Sequence, residues 1–279
     1  MPPLAVNPCQ PETTTRPRVS LIMITLNADS KAPGILARVL QAVAWVDEMI
    51  IVDAESHDGT AEIARRFTPH VITQPWLGGF RRQKEVALQY VTGDWVMWLD
   101  ADELMPPALA EEIQAAIAAP GAPAGFRLRR VHYLIGKPLL HCGLDAPLRL
   151  WRRGEGGFAP REVHETYEVP GPAPALPTPL FHYSTPSLQN RLERFVADIK
   201  IAADYRSIPP AQPWGPRMVW RYMLRPALVN FKIFYWNLRG YRDGIRGLIW
   251  AVTYSLAEFY IGALVWQKSL YGDVPALDV

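Results

Sequence analysis

Between residues 19 and 102 short apolar runs alternate with amphipathic stretches, and this alternation leaves the chain few folds to choose from. The runs are 20–26, 48–54, 70–74 and 94–100. Between them Ile35, Leu36, Val39, Leu40 and Val43 recur at helical spacing, and residues 60–67 and 80–90 do the same. Apolar strands separated by helices of this length predict successive βαβ units and a parallel sheet. Such sheets bind ligands in the crevice beyond the strand C-termini. The polar residues that end the runs are therefore the first candidates for chemistry.

Further along, residues 106–119 read as a helix that stops at Pro120 and Gly121. From 125 to 184 the texture is β-prone and broken by Gly and Pro, with strands expected at 126–134, 147–151 and 180–183. The Pro-dense stretch 170–179 reads as a surface loop. After Ser187 the pattern is helical, with Leu188, Leu192, Phe195, Ile199 and Ala202 on one face.

From residue 214 onward Trp, Tyr and Phe interleave with Arg217, Arg221, Arg225, Lys232, Arg239, Arg242 and Arg246. Aromatic and cationic side chains together suit the headgroup layer of a membrane. Residues 248–266 are mostly apolar and near the minimum length of a spanning helix, but Glu258 lies among them. An in-plane helix and a helix packed in an aromatic core both stay open, and spanning ranks below them.

Residues 1–18 are rich in Pro and Thr without an apolar segment, so a disordered leader is expected rather than a signal peptide. With 49% hydrophobic and 20% charged residues, the chain has the material for a packed core. Its net charge of +2 gives no support to a nucleic-acid partner. Cys9 and Cys142 lie far apart, match no metal spacing, and fit a reducing compartment.

The fourth run ends in Asp100-Ala101-Asp102-Glu103. Two carboxylates one residue apart, delivered by a strand into a crevice, make a hard oxygen site suited to Mg²⁺ or Mn²⁺ carrying a diphosphate. The second run ends in Asp53, placed to accept hydrogen bonds from a base or ribose, whereas Asp58 in Asp58-Gly59-Thr60 reads as turn and cap chemistry. Thr25 and Asn27 end the first run on the same rim. Lys84, with Arg81 or Arg82, opens a helix after Gly78-Gly79, as diphosphate contacts or as a solvated face.

Thr25-Leu26-Asn27, then Val52-Asp53, Ser56, Asp58 and Thr60, then Gln83-Lys84, then Asp100, Asp102 and Glu103 resemble a family 2 glycosyltransferase in order and spacing. Downstream, His141-Cys142-Gly143, the run 148–153, Val163-His164-Glu165, His182-Tyr183-Ser184 and Tyr241-Arg242-Asp243-Gly244 with Gly247 resemble its bacterial lipopolysaccharide-core glucosyltransferase subgroup. Ala28 departs from the family, which often carries an acidic residue after the Asn.

The resemblance implies a GT-A fold, an α/β Rossmann-like mixed sheet with a helical, aromatic-rich C-terminal extension. The catalytic domain would cover 19–186, divided near 103 into nucleotide-sugar and acceptor halves, with a helical region over 187–279. Asp53 would contact uracil or ribose, Asp100 the ribose or metal, and Asp102 the metal. His182 would complete the metal site, although its apolar surroundings equally suit a core histidine.

An inverting transfer needs a base for the acceptor hydroxyl. The candidates are Asp145, Glu162, Glu165 and Glu168, with Glu165 preferred and Asp145 second. The implied partners are a nucleotide-sugar donor such as UDP-glucose and a lipid-linked or lipopolysaccharide acceptor. The implied location is the inner face of the cytoplasmic membrane, and homo-oligomerisation stays open. A nucleotidyltransferase is disfavoured because no Gly-rich basic loop follows the first run. A non-catalytic sugar-nucleotide-binding scaffold would not need these carboxylates.

Overall fold

The computed structural model describes residues 16–159, 166–206 and 214–271. The first half alternates as the sequence pattern predicts. β1 (Val19–Thr25), α1 (Ala28–Lys31), α2 (Ile35–Ala42) and β2 (Glu48–Asp53) are followed by α3 (Thr60–Arg65), β3 (Val71–Thr73), α4 (Phe80–Leu88) and β4 (Trp95–Trp98). The strands lie in the order β3-β2-β1-β4, all parallel. β1, β2 and β4 are mostly apolar because helices cover both faces. Leu36, Val39 and Leu40 of α2 meet Leu21 and Met23 on one side, and Ala87 of α4 meets Ile22, Ile50 and Val96 on the other.

Beyond β4 the sheet becomes mixed. β5 (Glu103–Leu104), α5 (Pro107–Ala118), β6 (Gly125–Leu134), β7 (Lys137–Pro138) and β8 (Leu144–Asp145) come first. β9 (Leu148–Arg152), β10 (Gly157–Phe158), β11 (Tyr167–Glu168) and β12 (Ala175–Thr185) follow. β9 runs antiparallel between β4 and β6, β12 lies parallel to β6, and β5 closes antiparallel on β12. The register sets Glu103 beside His182, His182 beside His132, and Arg130 beside Asp145. Four strands distant in sequence thus converge at the end of β4.

The loop expected over 170–179 stops short. From Ala175 the chain is already in β12, whose pairing with β6 slips between Leu176 and Leu180. Pro177 and Pro179, which have no N–H, fall in that irregularity, where the ladder asks for none. The Thr178 N–H donates instead to Glu112 of α5 at 3.1 Å. The end of the proposed leader is also anchored: Arg16 forks onto Asp47, and the Arg18 N–H donates to Asp94. Residues 1–15 lie outside the described residues.

The C-terminal part is helical: α6 (Leu188–Tyr205), α7 (Pro216–Val219), α8 (Arg225–Phe231) and α9 (Gly244–Tyr271). Wide π turns at Trp220–Leu224 and Lys232–Asn237 flank α8. The first precedes Pro226, whose ring would crowd the carbonyl of Tyr222 in a regular helix. Phe195, Ile199 and Ala202 of α6 pack against α9, but Leu188 and Leu192 remain exposed. At that end the guanidinium of Arg191, rather than a leucine, lies on Trp250 and Tyr254 of α9. Glu258 turns toward α6, where Arg206 binds it at 2.9 Å.

Candidate active site

The ends of β1 and β2 are tied into one rim. Asp53 is buried, accepts from Thr25 Oγ1 at 2.7 Å, and takes the Ser56 N–H and hydroxyl at 2.8 and 2.6 Å. Ser56 Oγ in turn accepts the N–H of Asn27, and Asn27 Oδ1 accepts the N–H of His57. Asn27 holds the left-handed conformation, φ 49°, which Asn tolerates better than most residues. Thr25, Asn27 and Asp53 therefore share a rim, and the carboxylate of Asp53 also shapes its turn.

Beside this rim, β4, which pairs with β1, leads into the acidic cluster. Asp100 accepts from Trp98 Nε1 at 3.0 Å and from Arg149 Nη2 at 2.7 Å. Glu103 is fully buried, takes Arg130 and Arg149 at 2.7 Å each, and caps the Asp100 N–H. Asp102 faces His182 Nε2 at 3.2 Å and Arg194 at 3.7 Å. Burial alone would raise the Asp100 pKa, but Arg149, Lys84, His182 and Arg130 hold it well below the carboxylate range. For Asp102, burial is likewise outweighed by His182 and Arg194. His182 shows the reciprocal effect: burial works against its charge, yet Asp102 raises its pKa.

Three of the predicted site residues are thus brought together: Asp100, Asp102 and His182. Oxygens of Asp100 and Glu103 and a ring nitrogen of His182 lie within 4.8 Å of one another. His182 Nδ1 is buried with no hydrogen-bond partner among the described residues. Carboxylates around an orphaned imidazole fit a hard divalent cation.

Lys84 is not on a solvated face. It is buried at 2% exposure, with Nζ 3.3 Å from the centroid of Trp98, whose ring also lies 3.9 Å from the guanidinium of Arg149. Two cations therefore share one indole beside Asp100. Arg81 pairs with Glu85, and Arg82 donates to the carbonyl of Leu77. Asp145 is gripped by both arms of Arg130 and lies 3.5 Å from His132. Burial raises the Asp145 pKa, but those partners lower it further, leaving a weak base. Glu168 lies in β11, whereas Glu162 and Glu165 lie outside the described residues.

Residues that the sequence reading gave no role are the cations Arg130, Arg149 and Arg194, together with His132. Arg149 carried a signal: a lone charge within the apolar run 148–151 has to find an ion-pair partner when buried.

Residues 20–132 match the model of the family Glycosyl transferase family 2. This segment is a family 2 glycosyltransferase domain. Over nearly its whole length the chain is also similar to LpsC of Rhizobium meliloti (strain 1021), described as a lipopolysaccharide core biosynthesis glycosyltransferase. The two are 26% identical over 275 residues, covering 93% of this chain and 96% of that protein. An uncharacterized glycosyltransferase, RP128 of Rickettsia prowazekii (strain Madrid E), is 38% identical over 147 residues, 51% of this chain and 49% of the relative. The chain thus spans about half the length of that protein. Among solved structures, the mannosyltransferase PcManGT from Pyrobaculum calidifontis, in complex with GDP-Man and Mn²⁺, aligns with TM-score 0.46 at 19% identity. The alignment covers 95% of this chain and 90% of that one.

The glycosyltransferase segment contains Thr25, Asn27, Asp53, Lys84, Asp100, Asp102 and Glu103 and ends inside β6 at His132. Asp145, Arg149 and His182 lie beyond it. The family-matched segment supplies the Thr25–Asn27–Asp53 rim and the first carboxylates, and the later strands bring the cations that neutralise them and the imidazole.

Proposed function

We propose that this glycosyltransferase transfers a hexose, with inversion at C1, from a nucleotide diphosphate donor to a glycolipid acceptor at the inner membrane surface. The observation that carries the reading is the carboxylate–imidazole cluster where β4 ends, facing the Thr25–Asn27–Asp53 rim. The full-length similarity to LpsC supports a lipopolysaccharide-core acceptor, with UDP-glucose as the donor to test first.

In this scheme the rim holds the nucleoside. Asp102 and His182, with Asp100, would hold the cation. A divalent cation bound there supplies positive charge against the departing diphosphate. Lys84 and Arg149, bracketing Trp98, hold Asp100 ionised and in place. The acceptor hydroxyl oxygen forms the new bond to C1 as the bond from C1 to the diphosphate oxygen breaks. The nucleoside diphosphate leaves with that electron pair, and the hydroxyl proton goes to Glu165. Asp145 is the weaker candidate because Arg130 occupies its oxygens.

The test is a screen of nucleotide sugars with Mn²⁺, read by release of free nucleotide, on the wild-type protein, Asp102→Asn and Glu165→Gln. Asp102→Asn is expected to lose at least ~10²-fold in turnover while keeping its fold. Glu165→Gln should lose transfer but keep donor binding. Undiminished turnover in excess EDTA would overturn the cation reading, and absence of turnover with every donor would favour a binding protein.

A further inference from the structure

We infer that Asp243 and Arg246, at the elbow leading into α9, are positioning residues for the carboxylate–imidazole cluster at the end of β4. The inference rests on the glycosyltransferase reading above. Neither residue touches the acidic cluster. Both grip the strands that bear its partners.

Asp243 is nearly buried, with 4% of its side chain exposed. Its carboxylate accepts three successive backbone N–H groups, from Leu140 at 3.0 Å, His141 at 3.1 Å and Cys142 at 2.9 Å. The His141 ring nitrogen Nδ1 lies 2.9 Å from the same carboxylate. Three N–H groups converging on one point form an anion nest, which favours a negative charge at its centre. Asp243 is that anion, built into the chain. One turn later, Arg246 donates to the carbonyls of Leu134 and Ile135 at 3.1 and 3.4 Å. Ile135 has φ 50°, a conformation that a β-branched residue adopts only under constraint.

The fit between elbow and strands is close. A Cβ on Gly240 would lie 3.1 Å from Cys142 Cβ and 2.5 Å from the carbonyl oxygen of Phe234. A Cβ on Gly143 would lie 2.5 Å from Leu139 Cβ and 3.3 Å from His132 Cβ. Trp250, the next inward-facing residue of α9, has its ring 5.4 Å from that of His132.

What the elbow holds is the unit β6–β7–β8. β6 carries Arg130 and His132, and β8 carries Asp145. Arg130 bonds both Asp145 and Glu103, and the ring of His132 lies 4.8 Å from that of His182. Asp243 fixes the loop that leads into β8, and Arg246 fixes the turn between β6 and β7. The similarity of the separate elements His141-Cys142-Gly143 and Tyr241-Arg242-Asp243-Gly244 to one subgroup gains a physical reason: they are two sides of one contact. Asp243 and Arg246 bond residues 134–142, whereas the rim is formed by β1 and β2.

The inference therefore predicts a split between nucleoside binding at the rim and the steps that need the cation cluster. The variants are Asp243→Asn, which keeps one acceptor oxygen, Asp243→Ala, and Arg246→Gln. Each is compared with wild type for metal-free UDP binding, for the Mn²⁺ concentration that half-activates turnover, for UDP-glucose hydrolysis without acceptor, and for transfer to truncated lipopolysaccharide. Transfer kcat should fall roughly tenfold in Asp243→Asn and roughly 10²-fold in Asp243→Ala, the scale expected of a small misplacement of reacting groups. Hydrolysis should fall in step with transfer and the half-activating Mn²⁺ concentration should rise, whereas metal-free UDP binding should stay within about threefold of wild type, and Arg246→Gln should show the same split. Wild-type transfer in Asp243→Ala would overturn the inference. So would parallel loss of metal-free UDP binding, hydrolysis and transfer in all three variants, since the elbow would then support the fold alone. A wild-type protein inert toward UDP-glucose would count against the donor assignment, and the same comparison is then made with the nucleotide sugar it does hydrolyse.

Discussion

Asp58 illustrates how a single carboxylate joins the loops beneath the Thr25–Asn27–Asp53 rim. Its oxygens accept the Thr60 N–H at 3.0 Å and the Ser30 N–H at 2.8 Å, linking the start of α3 to α1. Burial pushes its pKa up, but the bonds from Thr60 and Ser30 outweigh this and hold it at about 2, below the ordinary 3.8. A depressed folded pKa contributes stability above the unfolded value, and that stability is lost as pH falls through the folded one. Asp58→Asn should therefore cost ~1 kcal/mol at neutral pH, a figure scaled down for its solvent exposure. The cost should shrink between about pH 4 and pH 2, as followed by denaturant melts across that range. A pH-independent difference would mean that the charge is irrelevant. The capping role of Asp58 was legible because Asp-Gly-Thr is local chemistry. The cations around Asp100 and Glu103 were not, because Arg130 and Arg149 reach them from other strands. No local spacing announces such a pair, and the same blindness made Asp145 look like an available base.

Secondary-structure elements were read well wherever one periodicity ran uninterrupted. β1, β2 and β4 appear as apolar runs because both faces of a parallel sheet are covered, and α2 shows its buried stripe directly. The reading failed where pairing geometry overrode composition, as in β12, which tolerates two prolines only because its ladder slips there. Gly262 is a comparable case in α9. In isolation it looks like a weak point in a helix, yet a Cβ there would meet the Tyr222 carbonyl oxygen at 2.1 Å and its carbon at 2.8 Å. The π turn before Pro226 brings that carbonyl against α9. Gly262→Ala gains up to ~1 kcal/mol of helix propensity but incurs ~1–3 kcal/mol of overpacking. A net loss of about 1 kcal/mol in thermal or denaturant melts is expected. A stabilised variant would show that the two segments are free to separate.

At the scale of the whole molecule, the C-terminal helices have one side seated on the strands and another left uncovered. The helical stretch 240–270 contains an 18-residue segment with mean hydropathy 1.6, so it is long and apolar enough to cross a membrane by length and composition. Yet α9 seats Trp250, Ala251, Ile261 and Val265 against the protein, and its Glu258 is committed to Arg206 of α6. Spanning would strip away these contacts and strand the carboxylate in hydrocarbon. Lying in the plane of the surface disturbs none of them. Val252, Leu256 and Tyr260, four residues apart, are exposed along α9, as are Trp220, Leu224, Leu228 and Trp236 in the preceding helical segment. Arg217, Arg221, Arg225, Lys232, Arg239 and Arg242 are exposed in the same region. Such cations contribute roughly 1 kcal/mol each near an anionic surface, and the aromatic rings favour the boundary layer. The expected behaviour is stronger co-sedimentation with anionic than with neutral vesicles. High salt should release the protein only in part, because the apolar contribution is not screened. Leu256→Glu, at a position already 46% exposed, should weaken binding without unfolding the chain. Equal, negligible binding to both vesicle types would assign the uncovered side to another protein surface, a second copy of the chain being the first to test by sedimentation.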